Sequence, residues 1–222
     1  MLDKYKNPGI GFPFPEIYDR NYENLPDSMV MERPLRLSRW KSFGSEYFLS
    51  KEDLEEIAHG LALSNLNFIW VVRFPVGENS RLEEALPQNF LHNVAGRGMV
   101  VEGWAPQARI LGHSSIGGFV SHCGWSSVME GIKFGVPIIA MPMQHDQPIN
   151  ARLLGEVSVG VDTVRDENGR IQRVKVANVI KRVVVVVVVV VERDGEVVRK
   201  KARELSDNIR LKGDEEIDGV VE

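Results

Sequence analysis

The sequence predicts an α/β protein with a doubly wound, mostly parallel sheet, and three observations carry that expectation. Short apolar runs alternate with amphipathic stretches of helical period between residues 50 and 161. The runs, of which residues 67–74 (NFIWVVRF) are the clearest, are apolar nearly throughout, as strands covered on both faces are. Two of them end in polar turns, His122-Cys123-Gly124-Trp125 and His145-Asp146-Gln147-Pro148. Open parallel sheets bind ligands in the crevice outside such strand ends, so a Rossmann-like nucleotide site is expected there.

Taken in order, residues 1–35 hold five of the eleven prolines and no sustained period, and read as an irregular leader. The remaining residues, 36–222, read as one domain with terminal helices. Ser50 caps a helix running to about Leu63, whose apolar face is Leu54, Ile57, Ala58 and Leu61. Residues 67–74 are a central strand, 89–94 a short helix, 99–103 a strand and 107–111 a helical turn. Residues 116–121 (IGGFVS) form a buried strand, and a helix begins near Ser126, where Ser127-Val128-Met129-Glu130 has the form of a capping box. Residues 136–141 are the next strand; Asp146 is placed to cap the following helix, with Pro148 in its first turn. Residues 148–156 are helix, 158–161 strand, 166–169 a turn, and 196–211 a charged amphipathic helix. The uninterrupted valines 183–191 are too few to span a bilayer, which takes about 20 residues, and their β preference conflicts with their charged flanks. No function is assigned to them.

Bulk properties narrow the partners. With 222 residues the chain can bury one good core, and 43% hydrophobic and 26% charged residues are ordinary for a soluble domain. A formal net charge of −4 argues against nucleic acid and anionic membranes. One cysteine, Cys123, cannot form an internal disulfide and fits a reducing compartment. The first residues lack an apolar leader region, so a soluble cytoplasmic protein is expected. His122, Cys123 and His145 lack a metal-ligand spacing, and no metal or cofactor is expected.

The stretch 104–147 also carries a resemblance. WAPQ at its start, HCGW in its middle, S-x-x-E after that and DQ at its end stand in the register of the signature box of plant UDP-dependent glycosyltransferases, which the stretch matches end to end. Upstream, FGSEYF (43–48), EEIAHGL (55–61) and NFIWVVRFP (67–75) resemble the branch of that family that adds sugar to an existing glycoside. The resemblance implies the C-terminal, donor-binding half of a GT-B glycosyltransferase. It also implies a strand over residues 35–43, since SFGS (42–45) matches the family's turn after its first donor-domain strand. Arg36, Arg39 and Lys41 stand there with no β-branched residue, which would weaken pairing. From Val174 onward the resemblance implies helix. FPFPEIY (12–18) resembles a fragment of the family's acceptor domain, most of which has no counterpart in the sequence.

Carried over position by position, the resemblance gives the donor, UDP-glucose, its contacts. Trp104 would stack under uracil, where an indole after a strand would otherwise be packed into the core. Ala105 would offer backbone groups to the uracil edge, and Gln107 would reach the ribose. Glu130 would accept the ribose hydroxyls; the alternative is the capping-box bond back to its own helix start. His122, the backbone of Trp125, Ser126, Ser127 and, from the opposite turn, Ser45 would hold the diphosphate, with the ring of Trp125 packing. Ser126 stands where the family commonly has the longer Asn. Asp146 and Gln147 would bind the sugar hydroxyls, against plain readings as a helix cap and a solvated first-turn residue. Gln at that position usually accompanies glucose, where His accompanies galactose. Cys123 is expected to be an inert core residue.

Inverting transfer needs a base for the acceptor hydroxyl and positive dipoles for the departing UDP. His122, Ser127 and the helix start would supply the second, but no histidine precedes His59 to match the family's base. The chain is therefore expected to bind UDP-sugar and to transfer glucose poorly or not at all by itself, to an acceptor of the small plant aglycone or glycoside class. Two alternatives stand beside this one: a non-catalytic UDP-sugar-binding module, and a truncated gene product without a stable fold.

Overall fold

A computed structural model describes residues 40–42, 48–75, 81–163, 165–184 and 194–221. The irregular leader, Arg36, Arg39, Ser45 and valines 185–191 lie outside the described residues.

Six strands carry the architecture: β1 (Trp40–Ser42), β2 (Phe68–Val72), β3 (Gly98–Glu102), β4 (Phe119–Ser121), β5 (Ile138–Ala140) and β6 (Gly160–Asp162). Parallel pairing joins β1 to β4, β4 to β5 and β5 to β6, and separately β2 to β3. Because β1 also packs beside β2, the spatial order is β3-β2-β1-β4-β5-β6. The order reverses between β1 and β4, the switch point at which a doubly wound sheet opens its ligand crevice. The expected α/β class is confirmed. Of the strand expected over 35–43, only residues 40–42, with Lys41 as the single charge, are described as paired, Trp40 opposite Phe119 and Ser42 opposite Ser121, in the centre of the order.

Side chains of the strands alternate between two apolar layers, as the period of two requires. Ile69, Val71, Phe119, Ile138 and Ala140 face one core, with Ile110, Val128, Leu154 and Ala202 from helices α4 (Gln107–Leu111), α5 (Trp125–Lys133), α6 (Gln147–Glu156) and α8 (Asp194–Val221). Phe68, Trp70, Val72, Val120 and Ile139 face the other, with Ile57, Leu61, Phe90, Val176 and Ile180 from α1 (Lys51–Ser64), α3 (Phe90–Asn93) and α7 (Arg173–Val184). Ser50 caps α1 as expected, its hydroxyl accepting from the Asp53 N–H at 3.1 Å. A short helix, α2 (Leu82–Ala85), was not foreseen, and α8 is longer than residues 196–211.

Helix α7 is tied to α1 by a carboxylate. Glu56 accepts from the Arg173 backbone N–H at 2.7 Å and is also bonded to the Arg173 guanidinium, which together hold its acid below the usual range. An interhelical side chain thus caps a helix start that its own sequence leaves open.

Two local expectations are corrected. No capping box forms at α5: the helix begins at Trp125, Gly124 is the cap residue and no side chain bonds it. The start lies one residue earlier than expected, and Glu130 is instead engaged by Gln107. Asp146 likewise makes no capping bond to α6, because its backbone is already helical and its carboxylate turns to Asn150. Pro148 does occupy the first turn of α6.

Candidate donor site

The crevice forms where the carboxyl ends of β4 and β5 lie side by side, Ser121 opposite Ala140, with the Met141 N–H donating to the Ser121 carbonyl at 2.8 Å. From β4 the chain makes a tight turn through His122, Cys123 and Gly124 into α5. Cys123 has a φ of 66°, a left-handed conformation that costs a residue with a Cβ. The turn is held on both sides: the Cys123 N–H donates to Ser121 Oγ at 3.0 Å, and the Cys123 carbonyl accepts from Asn150 Nδ2 at 2.9 Å. Gly124 lies in close approach to the histidine, since a Cβ there would lie 2.5 Å from His122 Nε2 and the imidazole would have to shift. His122 is buried at this turn with its ring beside the backbone that starts α5.

Helix α5 runs for nine residues, and its first intrahelical bond is donated by Val128 to Gly124. The N–H groups of Trp125, Ser126 and Ser127 therefore precede the helical ladder, at the positive end of the helix dipole. An anion is favoured at such a terminus. Ser126 is exposed and Ser127 buried.

Beside α5 lies a cavity of about 450 Å3 lined by Val71, Arg73, Trp104, Ala105, Gln107, Arg109, Ser127 and Glu130, among others. Trp104 is 52% exposed, so the core-packing reading of its indole is excluded. Gln107 Nε2 donates to Glu130 Oε2 at 2.8 Å and lies 3.4 Å from Ser127 Oγ. Ala105 is buried in the floor. The ring of Trp125, expected to pack, is 51% exposed instead, because α5 starts with its first residue turned away from the sheet.

The turn after β5 contributes Asp146 and Gln147. Gln147 is buried rather than solvated; its Oε1 accepts from the N–H groups of Met143 and Gln144 at 2.9 and 3.0 Å. With its carbonyl end committed, its Nε2 end is the one that can donate elsewhere. The Asp146 carboxylate is exposed and accepts from Asn150 at 2.9 Å. Cys123 has a thiol pushed up to about 12 by burial, which leaves it protonated and unreactive.

The structure thus gathers five of the expected residues, Trp104, Ala105, Gln107, Ser127 and Glu130, around one cavity, and sets His122, Trp125 and Ser126 at the turn into α5. Asp146 and Gln147 stand at the next strand end, reached through Asn150. Two contributors were missed. Arg73 lines the cavity and donates from Nε to the Gly103 carbonyl at 3.0 Å; its place at the end of an apolar run was the available signal. Asn150, a polar residue one helical turn after Asp146, carries both bonds described above. Among the described residues no group of three or more acids, histidines or cysteines is placed to hold a metal.

An anion-ready helix start, an exposed indole and a hydrogen-bonded carboxylate stand around one crevice of a doubly wound α/β protein. Comparison with known proteins gives the particular family. The sequence profile of the family described as UDP-glucoronosyl and UDP-glucosyl transferase matches residues 40–186. A mogroside IIIx synthase of Siraitia grosvenorii is 56% identical over 204 residues, covering 91% of this chain and 42% of the enzyme. A beta-D-glucosyl crocetin beta-1,6-glucosyltransferase of Gardenia jasminoides is 54% identical, with 89% of this chain and 48% of that one covered. The solved structure of Phytolacca americana UGT2 complexed with UDP-2fluoro-glucose and pterostilbene superposes with a TM-score of 0.69 at 37% identity, over 79% of this chain and 37% of that one. This chain belongs to the UDP-glycosyltransferase family, has the fold of part of a GT-B enzyme, and spans less than half the length of these relatives.

Proposed function

We propose that the chain is the UDP-glucose-binding half of a glucosyltransferase that acts on a small plant acceptor or its glycoside, with inversion and without a metal. The observation that carries the reading is the cavity beside α5, where an exposed Trp104 and the Gln107–Glu130 pair flank Ala105 and Ser127. Uracil stacks on Trp104 against the Ala105 backbone, and Gln107 and Glu130 take the ribose. The diphosphate lies at the α5 start with His122, the Trp125 backbone, Ser126 and Ser127; Ser45, which the family resemblance adds to this set, lies outside the described residues. Asp146 and Gln147 take the glucose hydroxyls. The complex of UGT2 with UDP-2fluoro-glucose supports a UDP-sugar as the ligand class, and the crocetin relative's glucosyl acceptor supports sugar-on-sugar transfer.

The chemistry assigned to these residues is charge stabilisation. The dipole of α5 and the His122 imidazole offset the charge that grows on departing UDP. Among the described residues no histidine matches the family's base for the acceptor: His59 lies on α1, and no histidine precedes it in the sequence. That observation favours donor binding without transfer for these residues alone, as a UDP-sugar-binding module. The buried thiol of the single cysteine fits a reducing cytoplasm. No helix among the described residues is long and apolar enough to cross a membrane.

The test is equilibrium binding of labelled UDP-glucose by the 222-residue chain, followed by assay for glycoside on a flavonoid glucoside. Saturable binding without product is expected. Absence of binding contradicts the donor reading, and product formation contradicts the missing-base reading.

A further inference from the structure

Asn150 is buried to 8% exposure on the first turn of α6, and its Nδ2 donates both to the Cys123 carbonyl and to Asp146 Oδ2, each at 2.9 Å. Both partners are oxygen acceptors, so only the nitrogen end of the amide can face them, and its two N–H bonds are then both used. One acceptor is the left-handed residue that turns the chain into α5; the other is an exposed carboxylate at the neighbouring strand end. A buried amide has one rotamer to offer, whereas an exposed aspartate has several.

Resting on the donor-site reading above, we infer that Asn150 is a positioning residue: it fixes the Asp146 carboxylate at a set distance from the diphosphate turn, so that sugar recognition depends on it while uridine recognition does not. Asp146 without Asn150 still carries its charge but samples other rotamers, and the hydroxyl contacts of the glucose lose their alignment. The uracil and ribose contacts, in the cavity lined by Trp104 and Glu130, do not touch Asn150.

The experiment titrates UDP and UDP-glucose by calorimetry against the 222-residue chain, Asn150→Ala, Asp146→Ala and the double variant, with Asn150→Asp as an isosteric variant that has no N–H to give. The quantity read is the ratio of the UDP-glucose Kd to the UDP Kd, which a uniform loss of folded protein does not move. We expect Asn150→Ala and Asn150→Asp to raise that ratio about tenfold, in line with losing one hydrogen bond to a charged group. In the Asp146→Ala background, Asn150→Ala should leave the ratio unchanged. A ratio unmoved by either Asn150 variant, or moved equally with and without Asp146, overturns the inference while leaving the donor site standing. Failure of the unmodified chain to bind UDP overturns the donor site itself, and the inference with it.

Discussion

Gln107 Nε2 donates to Glu130 Oε2 at 2.8 Å, joining the first residue of α4 to α5 beside the cavity. The bond orients a carboxylate that would otherwise swing freely on a helix surface. Gln107→Ala should therefore weaken UDP by about 1 kcal/mol and Glu130→Ala by about 2 kcal/mol. The double variant should lose no more than Glu130→Ala alone, because both act on one set of ribose bonds. Calorimetric Kd values for the four proteins check this; additive losses would separate the two side chains.

Trp104 is half exposed, so its ring is available to a ligand in the proposed donor site rather than buried in the core. Trp104→Ala should cost roughly 1–3 kcal/mol of UDP affinity, with Trp104→Phe retaining most of it. The melting temperature should stay within a degree or two of the unmodified chain. A large drop in melting temperature would return Trp104 to the packing role.

Glu56 caps α7 through the Arg173 N–H and pairs with its guanidinium, and its acid is held below the ordinary carboxylate value chiefly by the Arg173 side chain. A lowered acid stabilises the fold above its unfolded value of 4.5, and that contribution fades as pH falls through the lowered value. Glu56→Gln should destabilise by about 1 kcal/mol at pH 7, an estimate kept small because the pair is partly solvated. Urea denaturation at pH 7 and at progressively lower pH should show the two proteins converging below pH 4.5. A difference that persists undiminished in acid would refute the charge assignment.

The Cys123 thiol, raised to about 12 by burial at the α5 turn, should resist a thiol reagent at pH 8 in the folded chain and react at once in denaturant. Reaction rates with and without urea measure this. Fast modification of the native chain would place the turn in solvent.

Much of this was legible in the residues. Short apolar runs bounded by turn residues defined β2, β4 and β5, because a strand buried on both faces is apolar throughout and too short for a buried helix. The box 104–147 located the crevice because its motifs fall at the ends of β3, β4 and β5. What was misread lay in side-chain direction. Ser127 and Glu130 have the spacing of a capping box, but spacing does not say where a helix begins, and Gly124 took the cap. Asp146 and Gln147 sat where a cap and a solvated residue belong. Their actual partners, Asn150 and the Met143 and Gln144 amides, depend on a loop path that no local pattern records. Of the charges expected to weaken the first strand only Lys41 falls within β1, which pairs with β4 along its three residues.

The most direct measurement is calorimetric titration of UDP into the 222-residue chain and into Glu130→Ala. A donor site at Trp104, Gln107 and Glu130 predicts one saturable site per chain, weakened at least tenfold by the substitution. No saturable heat with the intact chain, or equal affinity in both proteins, would contradict it.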